Sequence, residues 1–159
     1  MKRRIYTDTS VFGGCYDEEF RKPSRQLFER FKNGADLLLL SDLTRLELLG
    51  APQHVAQLAG SLPSSSVELV ELGEEARNLA DLYIASGVVG VSMLADAQHI
   101  AAATIHRADV LVSWNFKHIV NLRRIHGFNS VNLREDYPLL EIRTPREVVP
   151  YGQNEEQEP

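Results

Sequence analysis

The sequence predicts a three-layer α/β/α fold with a mainly parallel central sheet. Residues 37–40 and 110–112 are short apolar runs without polar alternation, as in parallel strands that helices cover on both faces. Stretches with apolar residues at three- and four-residue spacing alternate with these runs, most clearly in residues 92–105. A recurring order of strand and helix is typical of this class.

Length and composition predict one compact domain. With 159 residues and 43% hydrophobic content, the chain can bury a sizeable core, and we place the domain at residues 1–150. Residues 151–159 are polar and acidic, so we expect a disordered tail there. The single cysteine excludes an internal disulfide and fits a reducing compartment. Because no apolar run is long enough for a signal peptide or a membrane span, we expect a soluble cytoplasmic protein without membrane contact.

The amino-terminal part of the chain contains one predicted strand and one predicted helix. Residues 3–8 form a short strand that ends in Asp8. The Gly13-Gly14 pair that follows allows a tight bend in the backbone. An apolar stripe over residues 20–31 then predicts an amphipathic helix.

The remaining elements continue the alternation. The buried strand at residues 37–40 leads into a helix that carries Glu47, and residues 67–72 alternate apolar and acidic side chains like an edge strand. A helix over residues 74–86 follows. The buried helix at residues 92–105 carries Asp96 near its amino end. Further predicted elements are a helix at residues 119–128 and extended segments at residues 131–133 and 140–142.

Four polar residues fall at one edge of the predicted sheet. Asp8 ends the first strand, Glu47 lies in the first turns after the second, Asp96 opens the long helix, and Asn115 follows the last clear strand. In this topology all four fall at the edge where ligands of such sheets bind, whereas Asp109 lies at the opposite edge. Clustered carboxylates repel one another unless a cation joins them. Ligands that are all oxygen atoms select Mg²⁺ or Mn²⁺ over zinc, so the sequence predicts a site for one of these ions.

The residues at this edge also match a known family in order and spacing. The matching segments are residues 5–10 (IYTDTS), 46–48 (LEL), 96–103 (DAQHIAAA) and 108–116 (ADVLVSWNF). With these segments the chain resembles the PIN-domain ribonucleases, the fold of the toxin in many bacterial and archaeal toxin–antitoxin pairs. The resemblance implies a PIN-like domain with a metal-dependent endoribonuclease activity that uses Mg²⁺ or Mn²⁺.

The resemblance assigns roles to individual residues. Asp8, Glu47 and Asp96 match the acidic residues that bind the metal and activate or position water, and Asn115 falls at the fourth, usually acidic, catalytic position. An amide contributes no negative charge, so we expect weak occupancy of a second metal. By the same resemblance, two hydroxyl residues support the site, namely Ser10 and Ser113.

The resemblance also implies partners. RNA is the implied substrate, and an antitoxin protein is a possible partner. The family commonly forms homodimers, and either the helix at residues 20–31 or the segment around Leu58 could supply the surface.

Each candidate residue has an alternative interpretation that the sequence leaves open. Asp8 can cap a turn, Asp96 can favour its helix through the helix dipole alone, and Glu47 can lie on an exposed helix face. Asn115 can cap the turn before Phe116. For His99, one turn after Asp96, we favour a packed or surface position over one in the site. Alternative interpretations thus remain open for Asp8, Glu47, Asp96, His99 and Asn115.

A basic segment beside this edge is the candidate RNA-binding surface. The net charge of −5 gives no general attraction to polyanions, so nucleic-acid binding requires a local basic face or bound cations. Lys117, Arg123 and Arg124 lie in a stretch without acidic residues, and Trp114 and Phe116 before them can stack on bases. The alternative is a solvated basic helix with Trp114 in the core. If the site is impaired at its fourth position, a PIN-fold module that binds RNA or a protein without cleavage is the alternative function.

Overall fold

The computed structural model describes residues 2–150, and the predicted tail at residues 151–159 lies outside this range. The sheet has five strands, all parallel, in the order β3-β2-β1-β4-β5. The strands are β1 (Arg3–Thr7), β2 (Asp36–Ser41), β3 (Val67–Val70), β4 (Val110–Val112) and β5 (Ile142–Arg143). The predicted parallel sheet is confirmed, with β3 at one edge.

Helices cover both faces of this sheet, which confirms the three-layer architecture. They are α1 (Thr9–Gly14), α2 (Arg21–Lys32), α3 (Asp42–Leu49), α4 (Gln53–Ala56), α5 (Glu74–Ala85), α6 (Leu94–Ile105), α7 (Leu122–Arg134) and α8 (Pro145–Val148). In the part of the chain that the structure describes, no helix has the length and apolar content needed to cross a membrane.

Two apolar cores lie on opposite faces of the sheet because successive strand side chains alternate between the faces. Tyr6 and Leu111 belong to the core under α5, α6 and α7. Ile5, Leu38 and Val112 belong to the core under α1, α2 and α8. β2 and β4 therefore show no polar alternation in sequence, since both of their faces are covered.

The predicted bend at Gly13-Gly14 is wrong, because both residues belong to helix α1. Of the two residues, only Gly14 has to be glycine, and the reason is steric. A Cβ atom on Gly14 would lie 2.7 Å from both Ser24 Oγ and Trp114 Nε1, whereas a Cβ atom on Gly13 would meet nothing within 4 Å. Gly14 thus permits close packing of α1 against its neighbours.

Helix α7 also differs from the prediction. Residues 131–133 are not extended but belong to α7, which begins at Leu122 instead of residue 119. The Asn121 side chain fixes the start by accepting a hydrogen bond from the backbone N–H of Arg124. Phe128 and Val131 are buried at helical spacing, so tertiary burial decides the conformation. Of the predicted segment at residues 140–142, only Ile142 falls in β5.

Helix α2 forms as predicted, but its apolar face is used inside the chain. Leu27, Phe28 and Phe31 are all buried in the core beneath the helix. Their side chains are therefore not available to a second copy of the chain. The dimer surface predicted on this helix is not present as an exposed apolar face.

Candidate active site

Asp8 lies at the carboxyl end of β1, as predicted, and directly precedes α1. The carboxylate is buried, and its Oδ2 accepts hydrogen bonds from Ser10 Oγ at 2.8 Å and from Ser113 Oγ at 2.7 Å. Ser10 Oγ also accepts the backbone N–H of Trp114 at 3.0 Å. One carboxylate oxygen is thus fixed by two hydroxyl groups, and Oδ1 faces His99 Nε2 at 3.7 Å.

Glu47 reaches the same point from α3. Ser41 sets the start of this helix by accepting the backbone N–H of Thr44. Glu47 Oε1 accepts a hydrogen bond of 2.6 Å from Thr9 Oγ1. The same oxygen lies 2.5 Å from His99 Nε2. Burial acts to raise the pKa of Glu47, but the hydrogen bond and charge of His99 and the hydrogen bond from Thr9 outweigh it, so the pKa is lowered. The carboxylate is therefore ionised at neutral pH.

His99 is packed in the protein interior, as favoured from the sequence, but it also contacts Glu47 and faces Asp8 in the candidate site, which that interpretation did not include. Its side chain on α6 is 1% exposed, and Nδ1 lies 2.7 Å from Tyr6 OH. Burial acts to lower the pKa of His99, but Tyr6, Glu47 and Asp8 together raise it well above its ordinary value. The spacing of one helical turn from Asp96 was the available signal in the sequence.

Asp96 lies in the first turn of α6 and is half-buried. Burial is the main cause that raises its pKa, and the negative charges of Asp8 and Glu47 add to the rise. Asn115 Nδ2 donates a hydrogen bond of 3.4 Å to Asp96 Oδ1. The three carboxylates predicted from the sequence are thus close enough for the charges of Asp8 and Glu47 to act on Asp96.

Asn115 also closes the turn that follows β4. Its Oδ1 accepts the backbone N–H of His118 at 3.0 Å, which confirms the turn-capping interpretation. The amide oxygen is therefore engaged within the chain, while the amide nitrogen contacts Asp96. Asn115 holds the third carboxylate in place and adds no charge to the site.

The residues of the predicted basic surface differ in their environment. Lys117 and Arg123 are exposed, whereas Arg124 is half-buried and donates a hydrogen bond to the carbonyl oxygen of Val88. Trp114 is 6% exposed and donates from Nε1 to Ser24, so the core alternative for this indole is confirmed. A stacking role for an aromatic side chain is left to Phe116, which is 49% exposed.

The donor atoms of Asp8, Glu47 and His99 lie within 4.8 Å of one another. In residues 2–150 this is the group of histidine, cysteine and acidic side chains that is compact enough to contact one cation, and Asp96 is not part of it. Two carboxylates and one imidazole suit a divalent ion. The predicted acids are thus brought together, and the histidine joins them.

Comparisons with known proteins bear on the fold. No family model and no curated protein matches the sequence. A solved toxin–antitoxin complex from Klebsiella pneumoniae matches with a TM-score of 0.53 at 17% identity, over 76% of this chain and 93% of that one. VapBC2 from Rickettsia felis, solved bound to a DNA fragment from their promoter, matches with a TM-score of 0.52 at 10% identity, over 89% of this chain and 98% of that one. The protein therefore has the α/β/α fold of the PIN-domain toxins, as the resemblance of its motifs predicts.

Proposed function

We propose that the protein is a metal-dependent endoribonuclease that hydrolyses RNA phosphodiester bonds with Mg²⁺ or Mn²⁺. The observation that carries the proposal is the convergence of Asp8 and Glu47, whose donor atoms lie within 4.8 Å of each other. Asp96 is close to them, since its pKa is raised by burial first and by the charges of Asp8 and Glu47 in addition. Such repulsion is relieved by a cation, and carboxylate oxygens are its preferred ligands. A divalent ion bound there supplies positive charge that offsets the charge of the scissile phosphate.

The chain's own residues divide the remaining tasks. Ser10 and Ser113 fix the orientation of the Asp8 carboxylate through its Oδ2. Glu47 is ionised at neutral pH because its pKa is lowered, so it can accept a hydrogen bond from the attacking water and orient it. Asn115 orients Asp96.

The exposed basic residues next to the site suit the RNA backbone. Lys117 and Arg123 project from the segment that follows β4, and exposed cations of this kind bind phosphates. Phe116 can stack on an unpaired base. Arg124 supports this surface indirectly, since its guanidinium group is bonded to the Val88 carbonyl oxygen.

The test is cleavage of a mixed pool of structured and single-stranded RNA with Mg²⁺, with Mn²⁺ and with EDTA. We expect cuts with either ion, none with EDTA, and a loss of about 100-fold or more in the Asp96→Asn variant. Asp109→Asn is the matched control, since Asp109 lies at the amino end of β4 and accepts a hydrogen bond from Arg4. Cuts that persist in EDTA, or equal activity of Asp96→Asn and Asp109→Asn, would contradict the proposal.

We further propose that the protein is the toxin of a toxin–antitoxin pair and binds the antitoxin through an apolar groove beside α3. The groove is lined by residues of α3, α4 and β3, and Leu46, Leu49 and Leu69 in it are 66%, 82% and 63% exposed. Exposed leucines at this density are typical of a protein-binding surface. Both matched structures include toxin–antitoxin pairs, which supports an antitoxin as the occupant.

Co-expression with the product of the adjacent gene tests this partner. We expect the Leu46→Ser/Leu49→Ser variant to lose the co-purified antitoxin. The Leu133→Ser variant, which changes an exposed leucine on α7, should retain it.

Light scattering of the protein alone separates a monomer of 17.9 kDa from a homodimer, the other predicted assembly. A homodimer that dissociates in the double variant would assign the groove to a second copy instead.

The second candidate function is a PIN-fold module that binds RNA or a protein without cleavage. One observation favours it, namely the neutral Asn115 whose amide oxygen is bonded to the backbone of His118. RNA binding that is unaffected by EDTA, together with no cuts under any ion, would support this function. Metal-dependent cuts would exclude it.

A further inference from the structure

We propose that His99 is itself a ligand of the divalent ion and that it gives the site a preference for Mn²⁺ over Mg²⁺. The inference rests on the proposed function in one respect only, the presence of a divalent ion at Asp8 and Glu47. The predicted ligands were all oxygen atoms, so a nitrogen ligand changes the expected metal chemistry. Imidazole suits transition ions, whereas Mg²⁺ prefers oxygen ligands.

The position of the imidazole carries the first step. His99 Nε2 lies 2.5 Å from Glu47 Oε1 and 3.7 Å from Asp8 Oδ1, so the ring nitrogen points between the two carboxylates. The ring is 1% exposed and cannot turn into solvent. Neighbouring ligands of one octahedral ion lie about 3 Å apart when its bonds are about 2.1 Å long. Since the Glu47 side chain is 34% exposed, it has room to move away from the ring by the few tenths of an ångström required.

The second step concerns which ring nitrogen carries the proton. Ser41 Oγ accepts the backbone N–H of Thr44 at 3.0 Å, which leaves it one hydrogen and one lone pair. Its other neighbours are Thr44 Oγ1 at 3.0 Å and Tyr6 OH at 2.8 Å. If Ser41 donates to Thr44, Tyr6 donates to Ser41 and its oxygen accepts Nδ1–H of His99 at 2.7 Å. Nε2 is then unprotonated and can bind a metal ion.

A neutral His99 ring also permits the opposite direction of the same hydrogen bonds. Ser41 then donates to Tyr6, Tyr6 donates to Nδ1, and the proton on Nε2 is donated to Glu47. Both directions leave every hydroxyl oxygen of this chain of bonds with at least one hydrogen-bond partner. Ligand histidines usually have their second nitrogen held by such a partner, so Tyr6 acts as a positioning residue for His99.

Pulsed EPR of the Mn²⁺-loaded protein tests the inference directly. We expect a ¹⁴N coupling to Mn²⁺ in the wild-type protein that is absent in His99→Gln. Equilibrium titrations should show that His99→Gln weakens Mn²⁺ binding by about 10-fold or more, while Mg²⁺ binding changes by less than about 3-fold. Tyr6→Phe should weaken Mn²⁺ binding by about 10-fold, the effect of losing a partner behind a ligand.

His126→Gln is the matched control because His126 is exposed on α7, and circular dichroism monitors the fold of every variant. A folded, Mn²⁺-loaded wild-type protein without ¹⁴N coupling would overturn the inference. So would an equal loss of Mn²⁺ and Mg²⁺ affinity in folded His99→Gln, which indicates a role limited to holding Glu47.

These outcomes are separable from those of the nuclease assay. RNA cleavage with Mg²⁺ and no ¹⁴N coupling would leave the nuclease intact and remove His99 from the metal. A ¹⁴N coupling that disappears in His99→Gln, without any RNA cleavage, would support the ligand and contradict the nuclease. Wild-type protein that binds no divalent ion would overturn both.

Discussion

Ser113 Oγ donates a hydrogen bond of 2.7 Å to Asp8 Oδ2 and thereby joins the end of β4 to the end of β1. The two residues are 105 positions apart in the chain. Ser10 donates to the same oxygen at 2.8 Å, so Asp8 is oriented by the segments after both strands. Fixed orientation of a carboxylate is what a metal ligand requires.

Asp8→Asn should abolish RNA cleavage and leave the fold intact. The amide keeps one oxygen for Ser10 and Ser113, whose hydroxyl groups can rotate, but it removes the negative charge. We expect at least a 100-fold loss in cleavage rate and a cost in the free energy of unfolding of no more than about 1–2 kcal/mol. Rate assays and urea titrations measure the two effects. Unchanged activity in this variant would refute the assignment of the active site.

Gly14→Ala should destabilise the protein, whereas Gly13→Ala should not. The added Cβ atom at Gly14 would lie 2.7 Å from Trp114 Nε1, which forces a shift in a packed core and costs about 1–3 kcal/mol. At Gly13 the Cβ atom meets nothing, and alanine favours the helix by up to about 1 kcal/mol. Trp114 is the only tryptophan, so its fluorescence reports unfolding and local repacking. Equal midpoints for the two variants would contradict this account.

Asp36→Asn should reduce stability at neutral pH. The Asp36 side chain is 1% exposed and accepts hydrogen bonds from Arg3 and Arg30. Removing the charge should lower the free energy of unfolding by about 2 kcal/mol. Asp81→Asn, at an exposed position on α5, is the control.

The same aspartate predicts a pH dependence. Burial acts to raise the pKa of Asp36, but the two arginines outweigh it and the folded pKa is lowered. Its contribution is therefore present above the unfolded pKa of about 3.9 and is lost as pH falls through the folded value. In urea titrations, the difference between wild type and Asp36→Asn should be constant from pH 7 to about pH 5 and should shrink as pH falls below the unfolded pKa of about 3.9. A difference that stays constant below this value would show that the ion pairs do not stabilise the fold.

Lys117→Gln and Arg123→Gln should each weaken RNA binding and its salt dependence. Both side chains are exposed, so removing one phosphate contact should reduce the slope of log affinity against log salt by about 0.7 for single-stranded RNA. Lys32→Gln is a charge-matched control, because Lys32 ends α2 ahead of the amino end of β2. Filter binding over a range of salt concentrations measures the slopes. If all three slopes are equal, the RNA does not follow the predicted surface.

The sequence alone is sufficient to predict the site residues whose position depends on where a strand ends. Asp8 and Ser113 directly follow predicted strands, and such positions in a parallel sheet lie at one edge. His99 could not be placed in this way. Its position depends on how closely α3 and α6 approach, which is a property of side-chain packing between residues 52 positions apart.

Local patterns were also ambiguous where tertiary contacts decide. Gly13-Gly14 suggests a turn by composition, but α1 packs so tightly on Trp114 that glycine is required within a helix. Residues 131–133 suit a strand by composition, and burial at helical spacing places them in α7. The functional consequence is limited, because neither error moves a residue of the site.

The order β3-β2-β1-β4-β5 means that the chain builds outward from β1 in both directions. The segment after β1 passes to the face of α1 and α2, and the segment after β4 passes to the face of α7. In parallel sheets, ligands bind beyond the carboxyl ends of two neighbouring strands whose following helices lie on opposite faces. The place of the candidate site at the ends of β1 and β4 therefore follows from the strand order and does not depend on any single acid.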